Sequence, residues 1–367
     1  MRILVLNWKH PCDAAAGGAE RYVARVAAVW ASRGHQVSLF VPHPSGGTLG
    51  HEAVPPGVRM VVRGTRITVF RHARRYLWHQ GGEFDAVLES VSTRPFFAYE
   101  LVGDRALVLY HQIADDVWDQ EFRFPVNWIG RRVVEPHWLR RITGARVVAN
   151  SPSTASDLAA RGVVSVGIVP PAADPVPEAG LRSLGASPRV VFVGRLVRTK
   201  RPQDAIQAFA SIRARYPAAT LDVIGDGYLQ EPLRSLQAPG VTVHGFVPEE
   251  IKVKFLARAD LLLLPGTREG WGIVAIEAAL HGVPTMAYNV PGLRDAIVDG
   301  STGALTLPDP KALGAAALDL LSDPAKWARQ GAAARRRAVS YTWERAANQL
   351  MALLSNVASE GAGGRAA

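Results

Sequence analysis

The chain carries a single cysteine, Cys12, in 367 residues. No internal disulfide can form, which sets aside the disulfide-stapled secreted scaffolds. Long apolar runs are missing as well. None approaches the roughly 18 residues that a membrane-spanning helix requires. The opening Met1-Arg-Ile-Leu-Val-Leu-Asn7 is too short in its apolar part for a signal peptide and is expected to be the first β-strand. These absences point to the cytoplasm. A dinucleotide fingerprint is also lacking, since no G-x-G-x-x-G follows Leu6 or Val193.

Acids are absent in one stretch and scarce in another. Between Ala53 and Gly82 lie Arg59, Arg63, Arg66, Arg71, Arg74 and Arg75 with no acid at all. Between Phe122 and Arg146 lie Arg123, Arg131, Arg132, Arg140, Arg141 and Arg146 against Glu135 alone. The formal net charge of +10 therefore belongs to the first half. In these stretches the arginines alternate with Ile67, Val69, Phe70, Leu77 and Trp78, and with Trp128, Ile129 and Trp138. Such a mixture suits an anionic membrane surface, an acceptor groove or a solvated face. Peripheral attachment to the inner face of the membrane is one expectation. No nucleic-acid module accompanies the charge, so nucleic acid is not an expected partner.

What is present is a globular composition, 48% hydrophobic and 20% charged, at a length that suits two domains. From Met1 to about Pro170 short apolar strands alternate with helices: Ile3 to Leu6, Val37 to Val41, Ala86 to Leu88, Ala106 to Tyr110 and Arg146 to Ala149 are the strands. Ser151 or Ser153 caps a helix stopped by Gly162. Ile168 to Pro177 then holds four prolines in ten residues, as a linker would. The alternation restarts at Arg189 to Val193 and continues through Thr220 to Ile224, Val241 to His244, Leu261 to Leu264 and Thr285 to Tyr288. This predicts α/β architecture with two Rossmann-like doubly wound domains, residues 1–170 and 171–340. A C-terminal helix at 341–356 and a small, polar, disordered tail at 357–367 complete the expected layout.

The most informative segment is Gly266-Thr-Arg-Glu269-Gly270-Trp271-Gly272-Ile273-Val274-Ala-Ile-Glu277-Ala-Ala-Leu-His-Gly282. A buried strand ends at Pro265, a glycine-flanked turn carries Glu269, and an almost wholly apolar helix follows with one acid, Glu277. A lone buried carboxylate costs several kcal/mol, so Glu277 needs donors. Two carboxylates at the carboxyl end of a strand fit a polyhydroxylated ligand. Equally, Glu277 could pair with an Arg of a neighbouring helix and Glu269 could serve as a helix-cap acid.

The Glu-x7-Glu spacing within E-G-W-G-I-V-A-I-E-A resembles the donor signature of the retaining GT-B glycosyltransferases called GT4. The resemblance implies two Rossmann-like domains facing a cleft. It implies that Glu269 contacts the transferred sugar, that Glu277 contacts the ribose of the nucleotide, and that Gly270, Trp271, Gly272, Ile273 and Val274 line the donor. Trp271 stands where that family more often has Phe. Gly194-Arg195-Leu-Val-Arg-Thr-Lys200 matches the family's G-R-L followed by Lys, which makes Arg195 and Lys200 the binders of the donor phosphates, with Gly194 beside them. Gly17 and Gly18, in Gly-Gly-Ala-Glu20, look like the family's glycine loop. His111, after the strand Ala106 to Tyr110, is placed on the donor sugar. The turns at Gly225 and at Phe246-Val247 would frame the base. At Val290-Pro291-Gly292 many relatives have two glycines, so the loop's geometry departs from the pattern.

The implied activity is transfer of a sugar, with retention, from a UDP- or GDP-sugar to an acceptor hydroxyl on a glycolipid, polysaccharide or natural product. No metal and no separate cofactor are expected. Asp115, Asp116 and Asp119 are expected on the acceptor side or as caps. Rival readings are a sugar-nucleotide epimerase of the same fold and a non-catalytic sugar-nucleotide binder.

Overall fold

The computed structural model describes residues 1–13, 16–45, 54–177 and 183–363. The chain divides into two compact units, Met1–Ala172 with Thr342–Ala367, and Ala173–Tyr341. Both are α/β units built on a wholly parallel sheet.

The first unit's sheet has seven strands: β1 Arg2–Leu6, β2 Gln36–Val41, β3 Arg59–Val62, β4 Ala86–Val91, β5 Ala106–Tyr110, β6 Arg146–Ala149 and β7 Ser165–Ile168. Their order is β3-β2-β1-β4-β5-β6-β7. Central strands of a parallel sheet are covered on both faces and so read as unbroken apolar runs; Ile3 to Leu6 are fully buried. Edge strands do not read that way. β3 and β7, at the two ends of the sheet, have one buried position and none, and neither stands out as an apolar run. Ser151 caps the helix Pro152–Ala159, its hydroxyl accepting the Thr154 amide at 3.0 Å.

The C-terminal helix Trp343–Gly363 belongs to this unit and packs on the first helix, Gly18–Ser32, where the Trp30 indole donates to the Ala347 carbonyl at 2.9 Å. It runs on to Gly363, into the segment 357–367 expected to be disordered, where Ala358, Ser359 and Glu360 continue the helix. Residues 364–367 lie outside the described ones.

The second unit's strands are β8 Arg189–Val193, β9 Thr220–Ile224, β10 Val241–Gly245, β11 Leu261–Leu264, β12 Thr285–Tyr288 and β13 Gly303–Thr306. Their order is β10-β9-β8-β11-β12-β13. The chain winds outward from β8 to β10, then returns past β8 to form β11. The direction of winding therefore reverses between β8 and β11, the kind of place at which open parallel sheets bind ligands beyond the carboxyl ends of their strands. The core of this unit takes in Phe192, Leu221, Leu263, Met286 and Trp271.

Two features of the basic stretches differ from their sequence appearance. Their arginines draw acids from elsewhere: Arg66 pairs with Asp13, Arg74 and Arg141 with Glu100, and Arg131 with Asp115 and Asp119. Their apolar residues also divide. Val69 and Leu77 are core and Phe70 stacks on Phe96 at 4.7 Å, whereas Ile67 and Trp78 are exposed. No helix among the described residues is long and apolar enough to cross a membrane.

Candidate active site

The exits of β8 and β11 are tied together by backbone. After β8 the chain makes a single 3-10 turn, Arg198–Lys200, and the Thr199 carbonyl accepts the Thr267 amide at 2.9 Å and its hydroxyl at 3.3 Å. That tie carries Lys200 to Glu269, and their side chains form an ion pair, with 17% and 21% of each left exposed. From the other side the Glu269 amide donates to the Pro291 carbonyl at 3.2 Å. Gly292, at φ +83°, lies so close that a β-carbon there would stand 2.2 Å from the Glu269 carbonyl oxygen. The departure at Val290-Pro291-Gly292 keeps the one glycine that this contact requires.

The loops leaving β8, β9 and β10 are laced in the same manner. The Gly194 amide donates to Ile224, that of Leu196 to Asp226 at 2.8 Å, and that of Gly225 to Gly245 at 2.9 Å. A β-carbon on Gly225 would fall 1.9 Å from the Gly194 carbonyl, whereas one on Gly194 would meet only Phe192 at 3.6 Å. The packing of these two loops is thus enforced from Gly225, while Gly194 has room for a β-carbon. Arg195 is exposed on this loop and forms no ion pair among the described residues. Phe246 is exposed on the turn after β10 with Val247 half-buried beside it, a surface on which a planar base could lie.

Glu277 sits in the buried helix Ile273–Leu280, whose N-cap is Gly272. A lysine of the neighbouring helix is among its partners. Lys252 Nζ, from the helix Glu249–Arg258, lies 2.8 Å from Glu277 Oε2 and 2.9 Å from Glu249 Oε1. Sequence reasoning missed Lys252, because three residues after Glu249 it looks like half of an ordinary exposed i,i+3 pair. Trp271 turns into the core, edge-on to Tyr341 with centroids 5.4 Å apart, so only its backbone remains on the loop. Gly270, Ile273 and Val274 are half-buried.

The remaining residues belong to the first unit. Gly17 and Gly18 are exposed at the start of the helix Gly18–Ser32, and the Gly17 amide is capped by Glu20 at 2.7 Å. His111 follows β5 and is buried, its Nε2 3.0 Å from the Ser90 hydroxyl and its ring edge-on to Tyr22. Burial pushes its pKa down to about 3, so the ring is neutral near pH 7 and serves hydrogen bonding, not proton uptake. Asp115 bridges Arg131 at 2.9 Å and Arg161 at 2.8 Å, and Asp119 joins Arg131. Among the described residues no cluster of three or more His, Cys, Asp or Glu is placed to hold a metal ion.

The family model described as "Glycosyl transferases group 1" matches residues 181–337, and the one described as "Glycosyltransferase Family 4" matches 16–176. The chain belongs to these glycosyltransferases, the GT4 type of the GT-B fold. Glycogen synthase of Mycobacterium tuberculosis is 27% identical over 94% of this chain and 92% of its own length. D-inositol 3-phosphate glycosyltransferase of an Arthrobacter species is 28% identical over 92% and 90%. In fold, the glycosyltransferase is similar to sucrose-phosphate synthase from Thermosynechococcus elongatus, with a TM-score of 0.76 at 21% identity over 98% of this chain and all of that one. An epimerase or a non-catalytic binder finds no counterpart among these three.

Proposed function

We propose that this glycosyltransferase takes its sugar from a nucleotide-diphosphate donor, UDP- or GDP-linked, and passes it to an acceptor hydroxyl with retention and without a metal ion. The observation that carries the reading is the Lys200–Glu269 pair at the switch point of the second unit, with Glu277 on the helix that follows. Breaking the anomeric bond leaves negative charge on the phosphate and positive charge on the sugar. Lys200 and Arg195 stabilise the first, together with the amides that open the helix after Gly272. Glu269 holds the sugar's hydroxyls. Among the described residues of the second unit's loops no side chain is set up as a nucleophile, which supports a front-face course in which the leaving phosphate helps take the acceptor's proton. The relatives' names put glycogen and D-inositol 3-phosphate among the acceptors to try first. Following the anomeric proton of the product by NMR, with EDTA present, tests the reading: an inverted product, or activity lost to EDTA and restored by magnesium, opposes it.

A second feature supports peripheral membrane attachment of the first unit. Phe122, Phe124, Val126, Trp128, Ile129 and Val133 are all exposed within twelve residues, among the exposed Arg123 and Arg132. Large apolar side chains left in water beside cations suit the headgroup region of an anionic bilayer.

A further inference from the structure

Glu277 is the one acid of the helix Ile273–Leu280, and six of that helix's eight residues, Glu277 included, are buried. A carboxylate in such a place pays desolvation unless a counter-charge is fixed beside it. That counter-charge comes from outside the helix. Lys252 reaches across from the helix Glu249–Arg258, its own side chain only 14% exposed, and lies within ion-pair distance of both Glu277 and Glu249. Glu249 is the first residue of that helix, directly after the turn Phe246-Val247-Pro248. One ammonium group therefore tethers the carboxylate assigned to the ribose to the start of the helix that follows the turn assigned to the base.

We propose that Lys252 is a positioning residue of the donor site, which fixes the orientation of the Glu277 carboxylate toward the ribose diol while holding the base turn in register with it. The inference rests on the donor reading above. Lys252 acts through Glu277, so its effect depends on the diol being present. A lysine that merely stabilises the fold would weaken every nucleotide alike, and one that grips phosphate would do the same.

Calorimetry can separate these cases, using UDP and GDP, each beside its 2′,3′-dideoxy analogue. The wild-type protein should prefer one ribonucleoside diphosphate over its dideoxy form by about tenfold or more, the worth of one or two hydrogen bonds to a charged group. Lys252→Met should bring that preference below about threefold while the dideoxy compound binds much as before, and Lys252→Arg should restore part of it. If Lys252→Met does not fold, as thermal unfolding would reveal, Lys252→Gln should show the same narrowed ratio. A neutral variant that keeps the full preference, or loses both compounds equally, overturns the role of Lys252. A wild-type protein that binds neither form, or both equally, overturns the donor reading itself.

Discussion

Lys200 and Glu269 are paired although 69 positions separate them in the chain. The pair neutralises, within one loop cluster, the cation assigned to the donor phosphates and the anion assigned to the sugar. A diphosphate that arrives must compete with Glu269 for Lys200. Lys200→Ala should weaken nucleoside diphosphate binding by about tenfold, roughly 1.4 kcal/mol. It should lower turnover further still, because the charge Lys200 faces grows as the bond breaks. Titration calorimetry alongside steady-state kinetics checks both. Turnover unchanged at saturating donor would remove Lys200 from the chemistry.

Loop lacing makes an unequal demand on two neighbouring glycines. Gly225→Ala forces a β-carbon into the Gly194 carbonyl at a φ of +139° and should cost several kcal/mol or prevent folding. Gly194→Ala meets nothing closer than 3.6 Å and should leave the unfolding temperature within a few degrees. Thermal unfolding of the two proteins side by side decides the matter, and equal destabilisation would contradict the packing described.

His111 gives stability a pH dependence of known sign. Its folded pKa, near 3, lies below the ordinary value of 6.5, so between those values the unfolded chain binds a proton that the folded chain does not. Stability from this residue is present above about pH 6.5 and is lost as pH falls toward 3, with a slope of up to about 1.4 kcal/mol per unit. Denaturant unfolding of the wild type and His111→Phe from pH 7 to pH 4 should converge as pH falls. A constant gap between the two would show that His111 is not held neutral.

Much of this was legible in the sequence, and the gaps have physical causes. Inner strands such as β11, and β1 after Arg2, are unbroken apolar runs and are visible in the sequence. β3 and β7 sit at the sheet's edges, half-wet, where the run of apolar residues disappears. Glu269, Glu277 and Lys200 stood out because acids in an apolar helix and cations after a strand are costly or unusual. Lys252 did not, since its partner across the helix pair exists only once both helices are packed. The motif places Trp271 along the donor, and its ring, with its large apolar area, is buried beside Tyr341.

The exposed stretch Phe122 to Val133 predicts flotation with phosphatidylglycerol vesicles at low salt and release at high salt. Replacing Phe124 and Trp128 by Ser should reduce the bound fraction about tenfold without moving the unfolding temperature. Protein that stays at the bottom of the gradient at low salt would leave these residues without a membrane role.

Calorimetric binding of the bare nucleoside diphosphate to Glu277→Ala and Glu269→Ala addresses the division of labour on which the whole account depends. Glu277→Ala should weaken binding ten- to a hundredfold, the worth of one or two charge-assisted hydrogen bonds at about 1.5–3 kcal/mol each. Glu269→Ala should bind the diphosphate at least as tightly as the wild type does, because Lys200 is released to it and the bare diphosphate carries no sugar for Glu269 to hold, so its defect is confined to turnover. Equal loss of affinity in the two variants would contradict the assignment of ribose to one carboxylate and sugar to the other.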